Sequence, residues 1–159
     1  MHTTRRHLLA AAAAGATLMA APAWGQPKPR KIILGQSVPL TGAGDQIGLA
    51  FAGGSKLYFD AFNGRKNNPG WTFELQQLDD GYDATKAKKL LADGADLLYG
   101  FVGTAASEAG AEVAAKEGAI FFAPYAASDK LRDPSASNVF HVRPSLYDEA
   151  FKMVRHCAT

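Results

Sequence analysis

The feature that most constrains the fold is a regular alternation between short apolar runs and longer segments with helical spacing. Strand-like runs occur five times along the chain, as KIILGQSVP, WTFELQQLD, ADLLYGFVG, AIFFAP and NVFHVRP. Runs that are apolar throughout are typical of strands buried on both faces, and parallel neighbours need crossovers of roughly a dozen residues. The sequence therefore predicts an α/β domain, with a doubly wound parallel sheet flanked by helices.

The segments between these runs carry helix signals. QIGLAFAGGSKLYFDAFN places its apolar residues on one helix face. DATKAKKLLADG has Asp83 as a candidate N-cap and Gly94 as a stop, and SEAGAEVAAKEG is stopped by Gly118. We therefore expect three crossover helices between the first four strands.

The first 25 residues have the composition of a secretory signal. Arg5 and Arg6 precede an Ala- and Leu-rich stretch, and small residues precede a plausible cleavage after Ala23 or Gly25. The arginine pair indicates the twin-arginine type of export signal. The apolar stretch is shorter than the roughly 20 residues that a membrane span requires, so we predict export rather than anchoring.

Charge and motif content exclude several functional classes. The chain has 17 basic and 15 acidic residues, so loss of Arg5 and Arg6 leaves equal numbers. A balanced charge gives no electrostatic basis for binding nucleic acid or an anionic membrane surface. The four histidines show no metal-ligand spacing, and the chain has neither a Gly-x-Ser-x-Gly elbow nor a Walker loop. No metal, cofactor or catalytic residue is therefore predicted.

The loops that follow the strands contain the candidate site. Ligands of doubly wound sheets bind beyond the carboxyl ends of the strands. Thr104 and Ser107 lie where the third helix begins, where free N–H groups and a hydroxyl can hold a carboxylate. Alternatively, one of them merely caps that helix. After the fourth strand, Tyr125 can stack on a ligand or pack at the rim, and Ser128 can donate a hydrogen bond.

One enzymatic alternative remains open at this stage. GAGDQIG has glycines at 42, 44 and 48, and Asp79 and Asp80 end the second strand, where a dinucleotide-binding fold places its ribose-binding acid. The glycine spacing is Gly-x-Gly-x-x-x-Gly, which departs from the fingerprint. This alternative is an exported Rossmann-type, NAD(P)-dependent oxidoreductase fragment.

The motifs taken together resemble a known family, the periplasmic substrate-binding proteins of ABC transporters, of the branched-chain amino acid type. The matching residues are PLTG, FDAFNGRKNNPGWTFELQQLDD, YGFVGTAASEA, FFAP, LRD and FHVRPS, and the likeness covers residues 32 to 156. It implies the type I periplasmic binding fold, in which two lobes close on a small solute without catalysis or cofactor. It also implies a periplasmic location and an ABC permease of the inner membrane as partner. A sensory ligand-binding domain of the same fold is a further alternative.

The resemblance also assigns residues to the ligand. Thr104 matches the hydroxyl residue that holds the ligand carboxylate, and Gly103 and Ser107 belong to the same turn. The residues that match contacts to the ligand amino group are Tyr125, Ala126, Ala127 and Ser128, and Ile47 matches a first-loop position. The expected ligand is a small amino acid or a related carboxylate or amide. Ala127 stands where amino-acid binders place a threonine, and this departure widens the expectation to aromatic acids, amides and other small carboxylates.

The resemblance implies an incomplete protein. Residues 26–143 correspond to the N-terminal ligand-binding lobe, and residues 144–159 to the start of a crossover helix into a second lobe. Leu146, Phe151 and Val154 would face a core that this sequence does not supply. We therefore expect one lobe of a two-lobe protein, truncated after the crossover begins.

Overall fold

A computed structural model of the chain describes residues 30–158, apart from Ala43, Pro69 and Tyr82. The predicted export signal in residues 1–25 lies outside the described residues and stays a prediction.

The described residues form a single parallel sheet of five strands, in the order β2-β1-β3-β4-β5. Four strands lie within the predicted apolar runs and β1 begins one residue before its run, at Arg30. The predicted doubly wound α/β class is therefore confirmed. The longest pairing joins β1 to β2, with Arg30 opposite Trp71 and Val38 opposite Asp79. The strand bounds are β1 Arg30–Val38, β2 Trp71–Asp79, β3 Leu97–Tyr99, β4 Phe121–Phe122 and β5 Val139–Phe140.

The helices follow the predicted crossovers, with one difference. The second crossover divides into a 3₁₀ turn, Ala84–Lys86, and a short α-helix. Asp83 caps the turn rather than the helix, because its Oδ1 accepts hydrogen bonds from the Thr85 N–H at 2.9 Å and the Thr85 hydroxyl at 2.8 Å. Gly118 ends the third helix in the left-handed conformation, with φ of 66°, as predicted. The bounds are α1 Asp45–Asn63, α2 Ala87–Ala92, α3 Thr104–Glu117 and α4 Leu146–Cys157, and a second 3₁₀ turn spans Asp129–Arg132.

The main core lies between the sheet and the helices α2 and α3. Leu98, Phe101 and Phe121 are fully buried there, together with Leu90 of α2. The approach is close, because a Cβ on Gly110 of α3 would come within 2.9 Å of the Phe101 ring. This packing fixes the direction in which α3 leaves the sheet.

The opposite face of the sheet is covered only in part. Helix α1 packs there through Ala52, which contacts Val38 and Val102. Successive strand residues point to opposite faces, so Leu97 and Tyr99 point away from the main core. They border a depression of about 240 Å³ whose lining is entirely apolar. Helices therefore do not cover both faces completely within the described part of the chain. The exposed apolar residues on this open face include Ile120, Phe122 and Phe140, which pairs with Phe122.

Helix α4 begins with a capping box. The Ser145 hydroxyl accepts a hydrogen bond from the Asp148 N–H at 3.1 Å, and the Asp148 carboxylate accepts one from the Ser145 N–H at 3.1 Å. No residue of α4 is buried. None of the helices in the described residues is long and apolar enough to cross a membrane.

Candidate functional site

The start of α3 lies beside the loop that follows β4. The order of the sheet reverses at β1, because β2 pairs on one side of it and β3 on the other. Such a reversal opens a crevice at the carboxyl edge of the sheet. At this edge the Gly103 N–H donates to the Tyr125 carbonyl at 3.3 Å, and Val102 pairs with Tyr125 in a parallel bridge. The sheet therefore brings Gly103, Thr104 and Tyr125 together, as the sequence predicts.

The first turn of α3 can accept an anion. Gly103 precedes it with φ of 98°, a value that favours glycine, and no side chain caps this end of the helix in the described structure. The capping role considered for Thr104 or Ser107 is therefore not observed. Thr104 is exposed at the first helical position. Because the first N–H groups of a helix have no intrahelical acceptor and carry a partial positive charge, they can bind a carboxylate.

Ser107 does not face the crevice. It is completely buried, and its hydroxyl donates to the Phe101 carbonyl at 3.3 Å. It therefore helps to hold the start of α3 against the strand that precedes it.

Next to this turn lies an open, mainly apolar depression of about 440 Å³. The side chains that face it come from α1 and from the loop after β4, and they are Gln46, Ile47, Ala50, Phe51 and Tyr125. The rings of Phe51 and Tyr125 are 5.4 Å apart between centroids, and both Ile47 and Tyr125 are about half exposed. Ile47 therefore reaches the predicted site, and Phe51 is a wall residue that the sequence analysis did not assign to it.

The loop after Tyr125 has most of its polar groups engaged. Ala126 and Ala127 are buried, and the Ala127 carbonyl accepts the Leu146 N–H at 3.1 Å. The Ser128 hydroxyl donates to Glu108 Oε1 at 2.7 Å, and the Ser128 carbonyl accepts from Arg132 at 2.8 Å. The bond from Ser128, and then the contact with Lys130, lower the pKa of Glu108, so this carboxylate is ionised at neutral pH. These bonds fix the loop against α3 and the start of α4.

Arg143, which follows β5, contacts the same wall through Tyr125. Its guanidinium carbon lies 5.1 Å from the centroid of the Tyr125 ring, and its Nη2 is 2.5 Å from Glu149 Oε1. Its Nε is buried and has no hydrogen-bond partner among the residues that the structure describes. A second arginine, Arg132, donates to the Arg143 carbonyl at 2.8 Å. In the sequence Arg143 lies within FHVRPS, a motif that assigns it no role of its own.

The dinucleotide alternative depends on acids that the structure uses elsewhere. The Asp79 carboxylate accepts hydrogen bonds from the Leu40 N–H at 2.9 Å and the Thr41 hydroxyl at 2.5 Å. Asp80 is buried and accepts a hydrogen bond from the Ser37 hydroxyl at 2.8 Å. Both acids bind the chain itself, so the geometry does not favour a ribose site at the end of β2. The described residues contain no group of three or more His, Cys, Asp or Glu side chains that could hold a metal ion.

Comparison with known families decides the class of this domain. The family model described as "Periplasmic binding protein" matches residues 31–159, which is most of the chain. The chain belongs to the periplasmic binding protein family. Members of this family bind substrates outside the cytoplasm and are not classed as enzymes. A search of curated proteins gave no match for this chain.

Solved structures of periplasmic binding proteins agree with this assignment. A possible leucine/isoleucine/valine-binding protein from Rhodopirellula baltica superposes with a TM-score of 0.71 at 23% identity, over 80% of this chain and 36% of that one. A substrate-binding periplasmic protein from Ralstonia solanacearum superposes with a TM-score of 0.65 at 26% identity, over 80% of this chain and 37% of that one. An ABC transporter solute-binding protein from R. palustris, in complex with benzoate, superposes with a TM-score of 0.59 at 24% identity, over 72% of this chain and 33% of that one. The chain thus spans about a third of the length of these periplasmic binding proteins.

Proposed function

We propose that this chain is the N-terminal lobe of a solute-binding protein that serves an ABC importer in the periplasm. The observation that carries the proposal is the uncapped first turn of α3 beside the wall formed by Ile47, Phe51 and Tyr125. The first turn of α3 suits the anionic group of a solute, and the wall suits its apolar part. A small organic carboxylate combines the two.

The second lobe of such a protein would follow α4. Leu146, Phe151 and Val154 on this helix are each more than half exposed, which suits a helix that packs against further structure. Residues 26–143 then act as the ligand-binding lobe, and residues 144–159 as the start of the crossover. The permease and the export through a twin-arginine signal belong to the same proposal.

The loop after β4 supports a carboxylate more strongly than an α-amino acid. An ammonium group needs several acceptors, and the carbonyls of Tyr125, Ala127 and Ser128 each have one lone pair left after accepting a hydrogen bond from the chain. The first turn of α3, by contrast, offers donors. The shared fold does not choose between solutes, because the similar proteins include one named for branched-chain amino acids and one bound to benzoate.

Calorimetry with three related probes tests this proposal. Isocaproate has the carboxylate and the branched chain of leucine without the ammonium group, and isoamylamine has the ammonium group without the carboxylate. We expect the chain to bind isocaproate at least as tightly as leucine and not to bind isoamylamine. Binding of isoamylamine would contradict the proposal. A chain that binds neither the three probes nor benzoate would contradict it as well.

A charge placed at the first turn of α3 gives the matched control. Thr104→Glu puts a carboxylate where the solute anion is proposed to lie, and an acid at this position is compatible with the helix. Thr104→Gln has nearly the same shape without the charge. We expect Thr104→Glu to lose isocaproate binding and Thr104→Gln to retain most of it. Equal affinities of the two variants would exclude an anion site at this turn.

A further inference from the structure

We propose that Arg143 is a specificity-determining residue that holds Tyr125 against Phe51, and that this wall selects planar aromatic carboxylates over aliphatic ones. The inference rests on the proposed function and adds to it a substrate class and the residue that sets it. It starts from contacts that join three segments distant in sequence: α1, the loop after β4 and the segment after β5.

Tyr125 is a half-exposed ring that two neighbouring side chains contact. Its side chain is 45% exposed, yet the Arg143 guanidinium lies 5.1 Å from its centroid and the Phe51 ring lies 5.4 Å away at 44°. An exposed tyrosine without such neighbours would sample several rotamers. These two contacts therefore keep the ring in one orientation at the border of the depression.

Arg143 is itself held in place. Glu149 binds its Nη2, the Arg143 carbonyl accepts from Arg132, and its Nε is buried. A guanidinium is planar and suits stacking on an aromatic ring, so its position fixes that of Tyr125. Phe51 is fixed in turn by its stacked contact with Tyr99, at 6.4 Å between ring centroids. The wall is thus preorganised before a solute arrives.

A rigid wall of two rings favours a flat partner. Aromatic rings attract one another beyond the burial of area, and an aliphatic ring of similar size lacks this contribution. The tether from the Gly103 N–H to the Tyr125 carbonyl places the anion-binding turn directly beside the wall. A solute whose carboxylate is attached directly to an aromatic ring can therefore use both features at once.

The test compares benzoate with cyclohexanecarboxylate, which has the same charge and a similar size but no aromatic ring. We expect the full chain to bind benzoate more tightly, by roughly two- to tenfold. Arg143→Met should reduce this ratio to near one by weakening benzoate binding, with little effect on cyclohexanecarboxylate. Arg143→Lys keeps a cation that can approach the ring, and should restore part of the preference.

A matched control and a double-mutant cycle separate this role from a general effect on stability. Arg65 lies over the Phe62 ring at 5.2 Å, after the C-terminal end of α1, so Arg65→Met removes a similar contact elsewhere. We expect it to leave the benzoate preference unchanged. Tyr125→Leu should abolish the preference, and adding Arg143→Met to it should have no further effect. Because Tyr125 is half exposed, the Leu variant also tests the wall if Arg143→Met fails to fold.

The outcomes distinguish the two levels of the proposal. If both carboxylates bind equally, or if Arg143→Met leaves their ratio unchanged, the inference about Arg143 is wrong and the carboxylate-binding function stands. Independent effects of Arg143→Met and Tyr125→Leu would also contradict it. If neither carboxylate binds, the proposed function fails and the inference fails with it.

Discussion

The carboxylate of Asp79 accepts a hydrogen bond from the hydroxyl of Thr41 at 2.5 Å, and this contact joins the loops that follow β1 and β2. The same carboxylate accepts the Leu40 N–H and, at 3.2 Å, the Gly81 N–H. The Thr41 hydroxyl and then the Leu40 N–H hold the pKa of Asp79 well below its ordinary value of 3.8, at about 2. These bonds fix the loop that leads into α1, and α1 carries Ile47 and Phe51 to the proposed site.

The depressed pKa of Asp79 predicts a defined dependence of stability on pH. A carboxyl with a lower pKa in the folded state stabilises the protein above its unfolded pKa, and the contribution is lost as the pH falls through the folded value. We expect Asp79→Asn to lower the melting temperature at pH 6. The difference from wild type should shrink between about pH 4 and pH 2.

The control for this prediction is Asp60→Asn, which removes only a surface ion pair with Lys56. Thermal melts of the three proteins across this pH range provide the measurement. If the difference in melting temperature between wild type and Asp79→Asn stays constant down to pH 2, the ionised carboxylate and its bonds do not stabilise the fold.

Gly48 and Gly53 lie in the same helix, but their surroundings predict that substitution by alanine changes the stability in opposite directions. A Cβ on Gly48 would overlap the Pro39 carbonyl oxygen, whereas a Cβ on Gly53 meets nothing within 4 Å. We expect Gly53→Ala to raise the free energy of unfolding by roughly 0.5–1 kcal/mol. Gly48→Ala should lower it by roughly 1–3 kcal/mol, because α1 must move away from the loop after β1. Urea unfolding monitored by circular dichroism measures both changes, and similar effects of the two substitutions would contradict the close approach.

The exposed apolar side chains of α4 predict self-association. Tyr147 and Phe151 stack at 6.2 Å, and Val154 is also exposed on this helix. Apolar patches of this kind promote association in solution. We expect the double variant Phe151→Ser and Val154→Ser to lower the mean mass measured by light scattering, with a free energy of unfolding within about 0.5 kcal/mol of wild type.

The matched control for α4 is Lys152→Ser, which changes an exposed polar residue of the same helix. It should leave the mean mass unchanged. If wild type is already a monomer at high concentration, the apolar face of α4 does not drive association.

The strands and most helix ends follow from local sequence, whereas the wall of the site does not. Continuous apolar runs predict all five strands, and Gly118 marks the end of α3 through its left-handed conformation. The 3.6-residue period also places Ser107 on one face with Gly110 and Ala114, so its burial could have been predicted.

The contacts of Tyr125 with Phe51 and Arg143 join segments that are distant in the chain. They depend on how α1 crosses the sheet and on where β5 ends, and neither is encoded in local spacing. The bonds that engage Asp79 likewise depend on the pairing of β1 with β2. Local patterns therefore predict which loops reach the carboxyl edge, but not which side chains face each other there.

The central claim is that the first turn of α3 and the neighbouring Tyr125 hold the anionic solute. Amide NMR of the isotope-labelled full chain, titrated with benzoate against sodium chloride at equal ionic strength, tests this claim most directly. We expect the largest shifts at the amides of Thr104, Ala105, Ala106 and Tyr125. A second depression, of about 420 Å³ and bordered by Thr72 and Glu74, lies toward the amino-terminal ends of β1 and β2. If the largest shifts occur at this second depression, or if the start of α3 shows none, the solute does not bind at the first turn of α3.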